Sequence, residues 1–236
     1  MPVSTLRFGD EGQDATRELA RRVESLAAFN LAAFDTVRRH IAALESLDRQ
    51  YGGHAPLALE DVDTLVAALH AQLAHWEAEA SRRKLAAQDA IAGATIGVTL
   101  WAMRHDVAIT VVEPVVNALA WRSNQARGTQ EAAAAFALMQ GVISHVAPRL
   151  RADLERSNPE RPWRLLHANL AITAIRTEDP AMIDFAFDAL DAALPDERAA
   201  FYGEARALSL APGIAPEVRN RIEARCAKWI RGVLPL

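Results

Sequence analysis

A chain of 236 residues is long enough for one large or two small domains with a buried core. Its 49 alanines and 24 arginines, against two lysines and two tyrosines, favour helix almost throughout and carry the arginine bias of a GC-rich bacterial genome. A net charge of -4 and a pI near 6.0 exclude the domain-wide basic surface of a general nucleic-acid binder, and the lone Cys226 excludes an internal disulfide.

Residues 1–12 read as a flexible tail, because Gly9 and Gly12 discourage helix. The tail has neither the basic start nor the apolar run of a secretory signal, so the cytoplasm is the expected location. Tails of this kind also serve some secretion machines as export signals, which composition does not decide. From Asp14 to Tyr51 there is no Pro or Gly, and Leu19, Val23, Leu26, Asn30, Ala33, Val37, Leu44, Leu47 and Tyr51 recur at steps of three and four. That spacing predicts one long helix with a coiled-coil-like seam. Gly52-Gly53-His54-Ala55-Pro56 breaks it, and a second long pattern runs from Glu60 to His105. A short turn between two long amphipathic helices predicts an antiparallel hairpin over 13–105. In such a hairpin His40 and His70 stand level, but without further ligands they do not make a metal site. The cluster Arg82-Arg83-Lys84 reads as a solvated face.

The least polar stretch, Ile91 to Trp121, is split by Arg104-His105-Asp106 into apolar segments of 13 and 15 residues, each shorter than the roughly 20 a membrane span needs. Gly93 and Gly97, beside Ala90 and Ala94, leave one helix face nearly flat, so that another backbone can approach it. Asp106 is the expected cap of the following helix, and Pro114, about two turns in, predicts a kink or break. Glu113 is the one acid of the second segment and is read as solvent-facing or paired with an arginine such as Arg104; its functional reading is a carboxylate facing a ligand groove.

The remainder, 106–236, is more punctuated. Helices are predicted to end near Asn124, then over about Thr129–Glu155 with a bend at Pro148, Pro162–Thr177, Pro180–Leu194, Asp196–Leu210 and Pro216–Gly232. Pro162, Pro180 and Pro216 suit first-turn positions, and Asp179-Pro180, Pro195-Asp196 and Pro212-Gly213 supply turns.

Within this half, Leu166 to Pro195 resembles a tetratricopeptide-type helical hairpin. The likeness rests on Asn169-Leu170-Ala171 and Ala174 in the first helix, the polar turn Thr177-Glu178-Asp179, Phe187 and Leu190 in the second, and the closing Pro195; Ile183 stands where a small residue is usual. Asn117-Ala118-Leu119-Ala120 with Phe136 and Met139 echoes it, but Asn117 and Asn169 are 52 apart rather than 34. Residues 196–232 form another pair, with Gly203 and Pro212-Gly213 departing from the pattern. The resemblance implies a TPR-like α-solenoid that binds a peptide or helix of a protein partner in its groove. Asn117, Arg122, Asn169 and Arg176 would line that groove.

No phosphate loop, nucleophile elbow or zinc motif is present, so no cofactor, metal or catalytic residue is assigned. The expected architecture is all-α, a long N-terminal hairpin packed on a TPR-like region. Its expected role is a non-enzymatic interaction module: an adaptor, regulator or chaperone-like protein. Two other classes compete with it. One is an all-helical enzyme with a bundle-core site using Glu113, His105, or His40 with His70. The other is a membrane-active protein exposing residues 91–121. Assembly into a homo-oligomer is compatible with either.

Overall fold

The computed structural model describes residues 8–57, 60–152, 154–210 and 214–230. The expected turn at Pro212-Gly213 and the first seven residues of the expected tail lie outside them. Among the described residues the chain is all-α, with ten helices and no strand. They are α1 (Phe8–Glu24), α2 (Phe34–Tyr51), α3 (Glu60–Arg83), α4 (Gln88–Arg104), α5 (Glu113–Gln125), α6 (Gly128–Leu150), α7 (Pro162–Thr177), α8 (Pro180–Ala193), α9 (Arg198–Ser209) and α10 (Pro216–Trp229). The chain divides into two compact units, 1–122 and 123–236, whereas the sequence pattern sets its boundary at 105/106.

The first unit corrects the expected hairpin, for each of its two long patterns is broken in the middle. Between α1 and α2 a short 3-10 turn, Ala27–Phe29, leads into Asn30 and Ala33, both in the left-handed region. No Gly or Pro marks this break; α3 holds it from outside. The Trp76 indole donates to the Ala32 carbonyl at 2.7 Å, Arg83 donates to the carbonyls of Phe29 and Asn30, and the Ala32 amide donates to Glu79. The second break follows Arg83, where Lys84 turns left-handed, Leu85 N–H bonds the Ala80 carbonyl and Lys84 N–H bonds that of Ser81. This is a Schellman end built on a lysine instead of the usual glycine.

Helix α4 packs against both α1 and α3, and it buries Ile91, Ala94, Val98, Trp101 and Ala102. The flat face at Gly93 and Gly97 receives α1: a Cβ on Gly97 would stand 2.9 Å from a Leu19 methyl, and one on Gly93 would meet the Arg22 side chain. Gly12 lies inside α1 rather than in a tail, and a Cβ there would come within 2.7–3.0 Å of the Gly53 backbone. Backbone cannot retreat as an arginine tip can, so the helical glycines separate. Gly12→Ala is expected to destabilise by about 1–3 kcal/mol through overpacking. Gly93→Ala is expected to be neutral or to gain up to about 1 kcal/mol, the ordinary helix preference for alanine. Urea unfolding of the two variants measures this contrast.

After α4 the expected helix cap does not form. Asp106 is left-handed and closes α4 in a second Schellman end, with Val107 N–H on the Ala102 carbonyl. Residues 107–112 then form neither helix nor strand, burying Val107, Ile109 and Val112, and Pro114 is the second residue of α5 instead of a kink within a longer helix. The β-branched run Val107-Ala-Ile-Thr-Val-Val favours extended backbone, and Pro114 suits a helix start. No described helix is long and apolar enough to cross a membrane.

In the second unit the Pro-marked starts of α7, α8 and α10 stand where the sequence sets them, and Asp179 caps α8 by accepting from the amides of Ala181 and Met182. Helix α6 ends at Leu150, two residues past Pro148 and short of the expected Glu155, while α10 ends at Trp229. Helix α7 packs on α6 and α8, and α9 packs on α10. Ala171, Ala174, Ala186, Phe187 and Leu190 are fully buried at the α7–α8 contact.

Candidate functional site

Helix α7 carries more apolar residues than one buried stripe needs. Leu166, Leu170, Ala171 and Ala174 are buried, while Leu165, Ile172 and Ile175 lie on another face that α9 only partly covers. The two helices are joined at their N-terminal ends, where Arg164 of α7 and Arg161 just before it both donate to Glu197, the residue capping α9. Both helices line a groove of about 330 Å³ that begins at this shared end and also takes in Ile214 and Ile222. Its walls are apolar, with Ile172 46% and Leu208 73% exposed. Five polar side chains interrupt them: Arg164, which is paired with Glu197, Ser209, which donates to the Arg206 carbonyl, and Asn169, Arg176 and Glu204. Arg176 reaches only the side-chain and main-chain oxygens of Asn124, at 3.3 and 3.4 Å.

Two of the four sequence-predicted partner residues, Asn169 and Arg176, therefore share this groove. The others lie in the first unit. Asn117 is exposed, with its amide 3.4 Å from Glu77, and Arg122 is exposed at the cleft between α1 and α4. Glu113 is exposed at the first position of α5. The sequence reading missed Leu208 and Glu204. Their signal was α9's own spacing: Phe201, Glu204 and Leu208 follow at steps of three and four, a second stripe beside the buried Tyr202, Ala205 and Ser209.

The residues weighed for bundle-core chemistry are engaged otherwise. Asp48 of α2, 1% exposed, accepts from Trp101 Nε1 at 2.9 Å and His105 Nε2 at 2.8 Å on one oxygen and from Thr16 Oγ1 at 2.5 Å on the other, with Arg104 Nη2 at 3.7 Å. Burial pushes its carboxyl up, but the donors His105, Thr16 and Trp101, together with the Arg104 charge, hold it below its ordinary value. The other ring nitrogen of His105 faces the Ala55 carbonyl at 2.7 Å. Both ring nitrogens of His105 are thus taken up by partners inside the fold. The cluster ties α1, α2, α4 and the α2–α3 loop together.

His70 is fully buried and places Nε2 3.1 Å from Thr99 Oγ1, while His40 is half-buried on α2. Among the described residues no three His, Cys, Asp or Glu side chains gather as a metal site.

The second unit has a comparable knot. Asp191 accepts from Tyr202 Oη, Arg225 Nη1 and Trp229 Nε1 at 2.7–2.9 Å, and its carbonyl accepts from Arg198, whose guanidinium lies over the Trp229 ring. Burial, and then Asp191, push the Tyr202 hydroxyl far above its usual range, so it stays a donor. Both knots are closed polar networks, and the α7–α9 groove is the open apolar surface. No family model matches the chain, and neither does any curated protein or solved structure.

Proposed function

We propose that the chain is a non-enzymatic protein-interaction module, an adaptor, regulator or chaperone-like protein, which docks a peptide or helix of a partner in the α7–α9 groove. The observation that carries this reading is the groove itself: an apolar trough with Ile172 and Leu208 held largely open to water and a few polar groups at fixed places in its walls. Exposed aliphatics on one wall of a concave surface are the usual anchor points for an amphipathic helix or apolar peptide. The tetratricopeptide resemblance supports the same reading, since that family binds peptides along the first helices of its hairpins. Helices α9 and α10 each begin 36 residues after α7 and α8, close to the family's 34.

Leu208 is the residue to change, because its exposure lets an aspartate stand there without disturbing the core. Tagged full-length protein and its Leu208→Asp variant are compared in affinity capture from the host lysate, with helicity checked by circular dichroism. A protein recovered in stoichiometric amount by the wild type and lost from the equally helical variant is the expected result. Identical recovery by both counts against this groove as the docking site.

A further inference from the structure

Resting on that docking reading, we infer that the occupant of the α7–α9 groove is an amphipathic helix of about three turns that runs antiparallel to α7 and α9, with an acidic residue against Arg176 and a basic residue about one turn further on against Glu204.

The length follows from α7. Leu165 to Arg176 spans eleven helical steps, about 16 Å at the helical rise, which is three turns. The axial placement follows from the shared end at Glu197. Ile175 and Leu208 each lie eleven residues beyond Arg164 and Glu197 and both line the groove, so equal helical rise from the shared end assigns them to one apolar step near its far end. Glu204 is seven residues beyond Glu197 and falls between Asn169 and Ile172; Arg176 lies about 7 Å further along the axis. Among the described residues no carboxylate pairs with Arg176 and no cation pairs with Glu204, unlike Arg164, which Glu197 neutralises. The groove thus presents one negative and one positive group that no opposite charge neutralises, about a helical turn apart by that count, between apolar walls.

That spacing is the i,i+4 spacing of charges on an occupant helix, and its polarity sets the direction. An acid four residues before a base is the stabilising order within a helix, and an acid belongs near the positive N-terminal end of the dipole. With its acid at Arg176, the occupant's N-terminus lies at the C-terminal ends of α7 and α9, so its dipole opposes theirs. The parallel orientation requires base before acid, and it aligns all three dipoles.

Two dye-labelled, lactam-stapled peptides of roughly 14 residues test this. Each carries leucines on one face; in one a glutamate precedes a lysine by four residues, and in the other the two are exchanged. Binding to the full chain is read by fluorescence anisotropy. The glutamate-first peptide is expected to bind roughly tenfold tighter, Arg176→Glu to erase the preference, because both groove charges are then acidic, and Leu208→Asp to abolish binding of both. Equal affinities, or a preference that Arg176→Glu leaves unchanged, would overturn the inferred register and direction, while continued sensitivity to Leu208→Asp would leave the docking reading standing. Equal binding by a proline-interrupted peptide of the same composition would overturn the helical occupant. Binding that Leu208→Asp does not affect, or no saturable binding by either probe, counts against both the inference and the docking reading beneath it.

Discussion

Replacing Asp48 by alanine is expected to lower the stability of the first unit by about 3–5 kcal/mol, the range for removing one member of a buried charged pair. The carboxylate is the common acceptor for Trp101, His105 and Thr16, and the Arg104 guanidinium lies beside it. Alanine leaves all of them facing a small void with water excluded. Arg104 keeps the Gly12 carbonyl and the Thr16 hydroxyl, but its charge loses its counterpart. Since a domain has only about 5–15 kcal/mol in hand, a loss of that size takes a large share of its stability. Trp101→Phe removes a single donor and leaves the carboxylate with the others, so a loss of about 1.5–3 kcal/mol is expected. Urea unfolding followed by circular dichroism separates the two variants. An Asp48→Ala loss below that of Trp101→Phe would show that the cluster does not hold the unit together.

The second large effect depends on pH. His70 sits between α3 and α4, where burial lowers its pKa from 6.5 to about 4, against a smaller opposing contribution from the Thr95 backbone. Thr99 donates to the Thr95 carbonyl, so its oxygen accepts from His70 Nε2, and Nδ1 is buried without a partner. The folded unit therefore holds the neutral ring. Above pH 6.5 folded and unfolded chains are both neutral at this position, and the stabilisation is fully present. As the pH falls from 6.5 to 4 the unfolded chain takes up a proton that the folded chain refuses, and about 3 kcal/mol is lost. Asp48 acts lower, because its depressed carboxyl titrates in the folded state below 3.8. His70→Leu is expected to flatten the stability profile between pH 6.5 and 4 and to cost little at pH 7, since it leaves no donor orphaned. A variant profile that kept the wild-type slope would assign the acid sensitivity to other groups.

These two side chains show where sequence reading stops. Asp48 lies one residue past Leu47, outside the seam Leu44, Leu47, Tyr51 that the spacing assigned to the buried face. In the folded unit Ile41, Leu44 and Asp48 are buried, Leu47 is half-buried and Tyr51 is exposed. A carboxylate becomes a core residue only when Thr16, Trp101 and His105, 32 to 57 positions away, bring their donors to it. Neither break is marked by Gly or Pro, for residues 25–33 and 82–87 contain none: the turn at Asn30 is held by hydrogen bonds from α3, and that at Lys84 by a local Schellman closure that lysine tolerates. One long hairpin became four helices at these two turns.

The candidate site was half legible. Asn169 and Arg176 could be named from the first helix of the repeat-like hairpin, because their position on α7 follows from its own periodicity. Leu208 and Glu204 could not be joined to them, because their pairing depends on where α9 lands.

By itself the sequence determined the all-α class, the starts of α7, α8 and α10 to the residue, and the close-approach face at Gly93 and Gly97. These are local properties: alanine's helix preference, proline's fixed φ in a first turn and glycine's missing side chain act within a few residues. Tertiary structure alone decided the break at Asn30, the burial of Asp48 and Asp191, and the meeting of α7 with α9. In each of these a group is satisfied, or an apolar face is left open, by residues far away in the chain, and no spacing along one helix encodes such a partner.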